Sequence, residues 1–93
     1  MKLSWTSRAI SDLNEIGRYI AADNPPAAKR FVSKLRQKAK EALDAPLSNR
    51  MVPELSREDV REALEGNYRI VYQITTDKLT VLTVFEGHKL LRP

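Results

Sequence analysis

Apolar residues recur along this 93-residue chain with two different periods, and the main change from one to the other falls between positions 43 and 60. Ala9, Ile10, Leu13, Ile16 and Ile20 fall at spacings of three and four. Ala28, Phe31, Val32, Leu35, Ala39, Ala42 and Leu43 occupy an arc of roughly 120° at 100° per residue. Both sets describe apolar faces of helices. After position 60 the pattern shortens to that of strands. The segments 60–64, 68–74 and 79–85 read as three strands, separated by Glu65-Gly66-Asn67 and by residues 75–78. Connections this short join antiparallel neighbours.

The boundaries have local causes. Ser7 is positioned to cap the first helix with its hydroxyl. Asn24-Pro25-Pro26 ends that helix near Asp23, because proline removes a helical hydrogen bond and restricts the residue before it. The same tripeptide opens the second helix. Asn24 is a good N-cap, and Pro25 suits the first helical position, where its missing N–H has no partner to lose. Two helices joined so tightly form an antiparallel hairpin. Residues 2–5 place Leu3 and Trp5 on one side of a short first strand. Residues 45–59, with Pro46 and Pro53, read as a loop with room for a short helical turn.

The expected fold is therefore α+β, in the order β-α-α-β-β-β. A two-helix antiparallel hairpin packs on one face of a small, mainly antiparallel sheet. Tyr68, Ile70, Tyr72 and Ile74 form the core side of the middle strand. A three-residue loop would put Leu64 on that same side and Arg61 opposite Val71, beside Arg69 on the outer side. The last strand is apolar on both sides, which suits a central strand or one whose outer side meets a partner.

Size bounds the function. A chain this short buries about two-thirds of its unfolded surface, so it is read as one domain over residues 1–93, with function on an open face or a shallow groove. Cysteine is absent, which suits a reducing cytoplasm. No stretch approaches the roughly 20 apolar residues of a membrane span. One histidine without cysteine makes a poor metal-ligand set, and no cofactor is expected. The 16 Lys and Arg against 12 Asp and Glu give a net charge of +4, favouring an acidic partner such as nucleic acid, a membrane surface or an acidic protein segment. The charge is concentrated on the second helix, where Lys29, Arg30, Lys34, Arg36, Lys38 and Lys40 are opposed only by Glu41. Lys29, Arg30, Lys34 and Lys38 are candidates for binding an acidic partner; the plainer reading is a solvated helix face.

Six segments in order resemble the RelE/ParE superfamily of toxins, in particular its ParE and plasmid-stabilisation branch. They are Ala9-x-x-Asp12-Leu13-x-x-Ile16-x-x-Tyr19-Ile20, Asp23-Asn24-Pro25-x-Ala27-Ala28, Arg50-x-Val52-Pro53-Glu54 with Val60-Arg61-Glu62, Gly66-Asn67-Tyr68-Arg69-Ile70-Val71-Tyr72, and Val81-Leu82-x-Val84-x-x-Gly87-His88-Lys89. The resemblance covers nearly the whole chain. It implies the toxin of a type II toxin–antitoxin pair, neutralised by a cognate antitoxin that wraps it. ParE-like members are regarded as inhibitors of DNA gyrase, whereas RelE-like members cleave messenger RNA on the ribosome.

RNA cleavage by 2′-hydroxyl attack needs a base, an acid and positive charge around the phosphate. By resemblance, Arg69 and Lys89 match basic positions of the RelE-like site, with Arg61 and His88 as the remaining candidates. The chain departs from that pattern at Glu62, near a position where RelE-like members carry lysine. It also has no tyrosine after Tyr72. These departures favour a ParE-like inhibitor. The alternatives are a ribonuclease with a reduced site and a non-toxic member that only binds its antitoxin. For Arg69 the competing reading is a strand arginine paired with Glu62 or Glu86.

Overall fold

The cap of the first helix lies one residue earlier than expected. In a computed structural model, which describes residues 1–87, Thr6 and not Ser7 caps α1 (Ser7–Ala21), its hydroxyl accepting the Ala9 N–H at 3.0 Å. Thr6 has extended backbone, as an N-cap requires, and its hydroxyl also donates to the Leu82 carbonyl at 2.8 Å. One side chain thus caps the helix and ties it to the sheet. Helix α2 (Pro25–Ala42) begins as expected, with Asn24 accepting the Ala27 N–H and Pro25 in the first turn.

Five strands form one sheet among the described residues: β1 (Lys2–Trp5), β2 (Arg50–Met51), β3 (Val60–Glu65), β4 (Tyr68–Ile74) and β5 (Lys78–Glu86), in the order β1-β5-β4-β3-β2. Only the β1–β5 pairing is parallel. The sheet therefore has one strand more than expected, because β2 lies inside the segment read as loop, just after a 3₁₀ turn at Pro46–Ser48. Two residues are too few to display a period.

The helix hairpin covers one sheet face. Leu13, Ile16, Leu35 and Ala39 pack against Ala63, Ile70, Tyr72, Leu79, Val81 and Val84. Phe31 meets Tyr68 with ring centroids 5.3 Å apart. Ile10, at the margin of its helical face, stays 46% exposed. Beyond Trp5, where β1 stops covering β5, Asp12 of α1 accepts the Thr83 hydroxyl at 2.6 Å and the Val84 N–H at 2.9 Å. A β-bulge lies opposite the Val71/Tyr72 step.

The β3–β4 turn corrects the register. Glu65 pairs with Tyr68, so the connection is the two-residue Gly66-Asn67, with Gly66 at φ 58°. Glycine at positive φ in the first central position is what a type II′ hairpin turn needs. The expectation of a three-residue loop was one residue too long, and every β3 side chain consequently lies on the opposite side from that expected. Ala63, not Leu64, enters the core. Leu64 lies opposite Arg69 on the outer face and is 49% exposed. Arg61 pairs with Tyr72 instead of Val71, and Glu62 takes the place beside Arg69 that Arg61 was expected to fill.

A second, smaller core covers the outer face. Val52, Val60 and Val71 are buried there, with Leu55, Leu82 and Phe85 against them. The two-sided apolar character of β5 follows. It is a central strand, the helices cover one side, and residues of the 52–55 turn pack over the other.

Candidate functional site

Arg69 leaves β4 on the outer face, where it is 4% exposed. Its Nε donates to Glu62 Oε1 at 2.7 Å, while Nη1 and Nη2 donate to the two Glu54 carboxylate oxygens at 2.8 and 2.7 Å. A bidentate carboxylate contact of this kind matches the fork of the guanidinium. The group lies 5.0 Å from the Phe85 ring centroid, on the neighbouring strand. Glu62 is 1% exposed and also accepts from Arg50 Nε. Two arginines and two glutamates thus form a charge-balanced cluster. Hydrogen bonds to Glu54 raise the pKa of Arg69 above its ordinary value; burial opposes them, and Glu62 adds to them.

Local structure explains the cluster. Arg50 faces Glu62 across β2 and β3, and Glu62 is the diagonal neighbour of Arg69 across β3 and β4. The turn after β2 brings up Glu54, its backbone closed by Leu55 and Ser56 N–H groups donating to the Val52 carbonyl. Beside the cluster is a shallow recess of about 290 Å³ lined by Arg50, Leu64, Gly66, Asn67, Tyr68, Arg69 and Gly87. Gly87 approaches closely, its N–H donating to the Asn67 carbonyl. A Cβ there would meet that oxygen at 3.2 Å.

Arg61 is not part of this cluster. Half-buried on the Tyr72 side of β3, it donates to the carbonyls of Glu58, Asn49 and Leu47 at 3.0, 3.1 and 3.4 Å. Tyr72 holds the same loop, donating to the Pro46 carbonyl at 2.6 Å and accepting from Asn49 at 3.0 Å. The structure therefore separates Arg61 from Arg69. His88 and Lys89 lie outside the described residues.

On α2, Lys29, Arg30 and Lys34 are exposed and Lys38 is half-buried. Lys34 reaches Glu65 at 3.9 Å, with 68% of the lysine side chain exposed, which makes a weak pair. A notch of about 450 Å³ lies beside them, lined by Ile20, Ala27, Arg30, Phe31 and Lys34. A groove of about 520 Å³ between α1 and the end of β5 is lined by Ile16, Tyr19, Tyr68 and Phe85 with Asp12, Glu15, Arg18 and Glu86. Tyr19 is 77% exposed.

Arg50, Glu54 and Glu62 are the cluster members that sequence reasoning did not place in a site. Pairing of Arg69 with Glu62 was the competing reading and is what forms; Glu54 is the further carboxylate. Its position depends on the turn after β2, which residue spacing alone does not define. Among the described residues no group of three or more His, Cys, Asp and Glu could hold a metal ion, and no helix is long and apolar enough to cross a membrane.

Comparison with known proteins bears on the whole chain. Its residues 3–90 match the family model described as the ParE toxin of the type II toxin–antitoxin system parDE. A relative from Sinorhizobium fredii named "Putative toxin Y4kP" is 34% identical over 88 residues, covering 95% of this chain and 90% of the relative. The fold is similar to a chain of the chromosomal ParDE toxin–antitoxin system of P. aeruginosa, with a TM-score of 0.75, 19% identity and coverage of 92% and 95% of the two chains. It is also similar to a chain of the toxin–antitoxin complex RelBE2 of Mycobacterium tuberculosis, with a TM-score of 0.66, 23% identity and coverage of 91% and 95%. The chain belongs to the ParE toxin family of type II toxin–antitoxin systems.

Proposed function

We propose that this toxin acts in the ParE manner, binding and inhibiting DNA gyrase in the cytoplasm, and that it does not cleave RNA. The observation that carries the reading is the commitment of Arg69. A nuclease needs positive charge held available for a phosphate as its charge grows in the transition state. Here the guanidinium is buried and bridged to Glu54 and Glu62. Among the described residues the two arginines and two glutamates of the cluster balance in charge, and Arg61 is turned onto backbone carbonyls. In this reading Arg69 shapes a contact face for a protein, with Leu64 and Phe85 beside it.

A cognate antitoxin neutralises the toxin with an acidic, amphipathic segment. The notch at Ile20, Ala27 and Phe31 offers an apolar floor, and Arg30 and Lys34 on its rim suit acidic residues. Lys38 extends this basic surface along α2, while Lys29 lies on the other side of the helix. Amphipathic segments bind grooves of this type through apolar anchors.

Induction in growing cells tests the target. Plasmid DNA becomes relaxed while messenger RNA stays intact, and growth recovers when the antitoxin is co-expressed. Rapid transcript cleavage with normal plasmid supercoiling would instead assign a RelE-like ribonuclease acting on the ribosome. Normal growth, with antitoxin binding retained, would mark a non-toxic binding module.

A further inference from the structure

The six basic residues of α2 divide into two sets with different surroundings. Arg30 and Lys34 flank the apolar notch on one side, and Lys38 follows further along the same side of the helix. Lys29, Arg36 and Lys40, with Ser33, fall within an arc of about 60° on the other side at 100° per residue. Glu41, the acid of this helix, lies roughly 110° from the middle of that arc. Lys29, Arg36 and Lys40 are exposed, and none has an ion-pair partner among the described residues.

Ser33, Arg36 and Lys40 of this second set border a groove of about 400 Å³ that is also lined by Leu3, Trp5 and Gln37, and Lys29 continues their row toward the start of the helix. It lies at β1, the end strand of the sheet. The Arg36 guanidinium sits over the Trp5 ring, 5.8 Å from its centroid. That contact restrains a long side chain that would otherwise lose rotamer freedom on binding.

From this arrangement we infer that the Lys29–Arg36–Lys40 ridge, with the Trp5 groove beneath it, is a binding site for the sugar-phosphate backbone of nucleic acid. Three cations rise along a straight rod. Lys29 and Lys40 are about 16 Å apart along the helix axis, or about five nucleotide steps of one strand. Ser33 and Gln37 between them are hydrogen-bonding groups suited to phosphate and sugar oxygens. The inference does not depend on which cellular target the toxin has.

The whole protein can be titrated with a labelled oligonucleotide of about 20 nucleotides, as single-stranded DNA, duplex DNA or RNA of the same sequence. Trp5 is the one tryptophan of the chain, so its fluorescence reports the site directly. Three phosphate contacts predict a slope of about −2 for log affinity against log salt on single strands and about −2.7 on duplex DNA, between about 50 and about 200 mM. The three probes also show which form of the backbone fits best.

Lys29→Gln/Arg36→Gln/Lys40→Gln should weaken binding at least about tenfold and flatten the slope. Arg30→Gln/Lys34→Gln/Lys38→Gln, which removes the same charge, should change it by about twofold or less. If the first triple variant does not fold, Arg36→Gln and Lys40→Gln singly should each reduce the slope by about one phosphate's share. Equal losses from the two triple variants would overturn the inference, reducing it to net charge. So would unchanged Trp5 emission during binding. Loss of binding to a polyglutamate peptide with no binding to any of the three nucleic acids would overturn it too, assigning the ridge to an acidic protein.

Discussion

Arg69 and Glu62 are diagonal neighbours across β4 and β3, joined at 2.7 Å with 4% and 1% of their surfaces exposed. If one is removed, the other keeps a further partner, Arg50 for Glu62 and Glu54 for Arg69. Cutting one partner from a buried pair that has no other costs about 3–5 kcal/mol, whereas replacing both with apolar groups of similar volume costs far less. Glu62→Gln and Arg69→Met should each lower stability by about 2 kcal/mol, the loss of a charge-assisted hydrogen bond. Glu62→Leu/Arg69→Met should be more stable than the sum of its single variants implies. Urea unfolding of the double-mutant cycle measures this coupling.

Gly66 sets the register that brings the pair together. At φ 58°, a residue with a Cβ is strained even though the Phe31 ring leaves space, its nearest atom 3.7 Å from where that Cβ would lie. Gly66→Ala should cost about 1–2 kcal/mol, and Gly66→Asn less, because asparagine tolerates the left-handed region. Thermal unfolding of the two variants orders them.

The helix hairpin and the antiparallel neighbours β3, β4 and β5 were legible in the sequence, and an inner place for β5 was one of the two readings its apolar sides allowed. Each rests on a signal spread over many residues or on a strong local stop such as Asn24-Pro25-Pro26. The cluster was not legible, because it depends on whether the β3–β4 loop has two residues or three. Leu64 made three attractive, since a large apolar residue suits a core. The structure instead uses Ala63 opposite Ile70 and leaves Leu64 outside. β2 and the Glu54 turn escaped for a related reason, since a two-residue strand is defined by its partner and not by its own pattern.

Arg61 holds its loop through three backbone carbonyls. Arg61→Ala should destabilise the protein by about 1–3 kcal/mol, with faster amide exchange concentrated in residues 47–58. Arg61→Lys should restore little, because an ammonium lacks the planar fork that spans separate acceptors. Toxicity that falls only in proportion to folded protein would identify Arg61 as a structural residue.

Tyr72 should give the protein an alkaline limit. Burial raises its phenol pKa above the ordinary value of 10.0, and burial acts the same way on Tyr68. The unfolded chain releases these protons near pH 10, while the folded chain retains them to higher pH. Stability from this source is therefore full below about pH 10 and is lost as pH rises towards the folded values. Tyr72→Phe should be less stable at pH 7 by about 1–2 kcal/mol, having lost the bond to Pro46. It should also show a shallower loss of stability above pH 10. Urea midpoints measured between pH 7 and pH 11 test both.

If the outer sheet face serves a protein contact and not RNA cleavage, purified toxin added to purified DNA gyrase and relaxed plasmid should reduce supercoiling in proportion to its amount. Messenger RNA on ribosomes, offered as a parallel substrate, should stay intact. Full supercoiling beside cleaved RNA would assign the face to RNA instead.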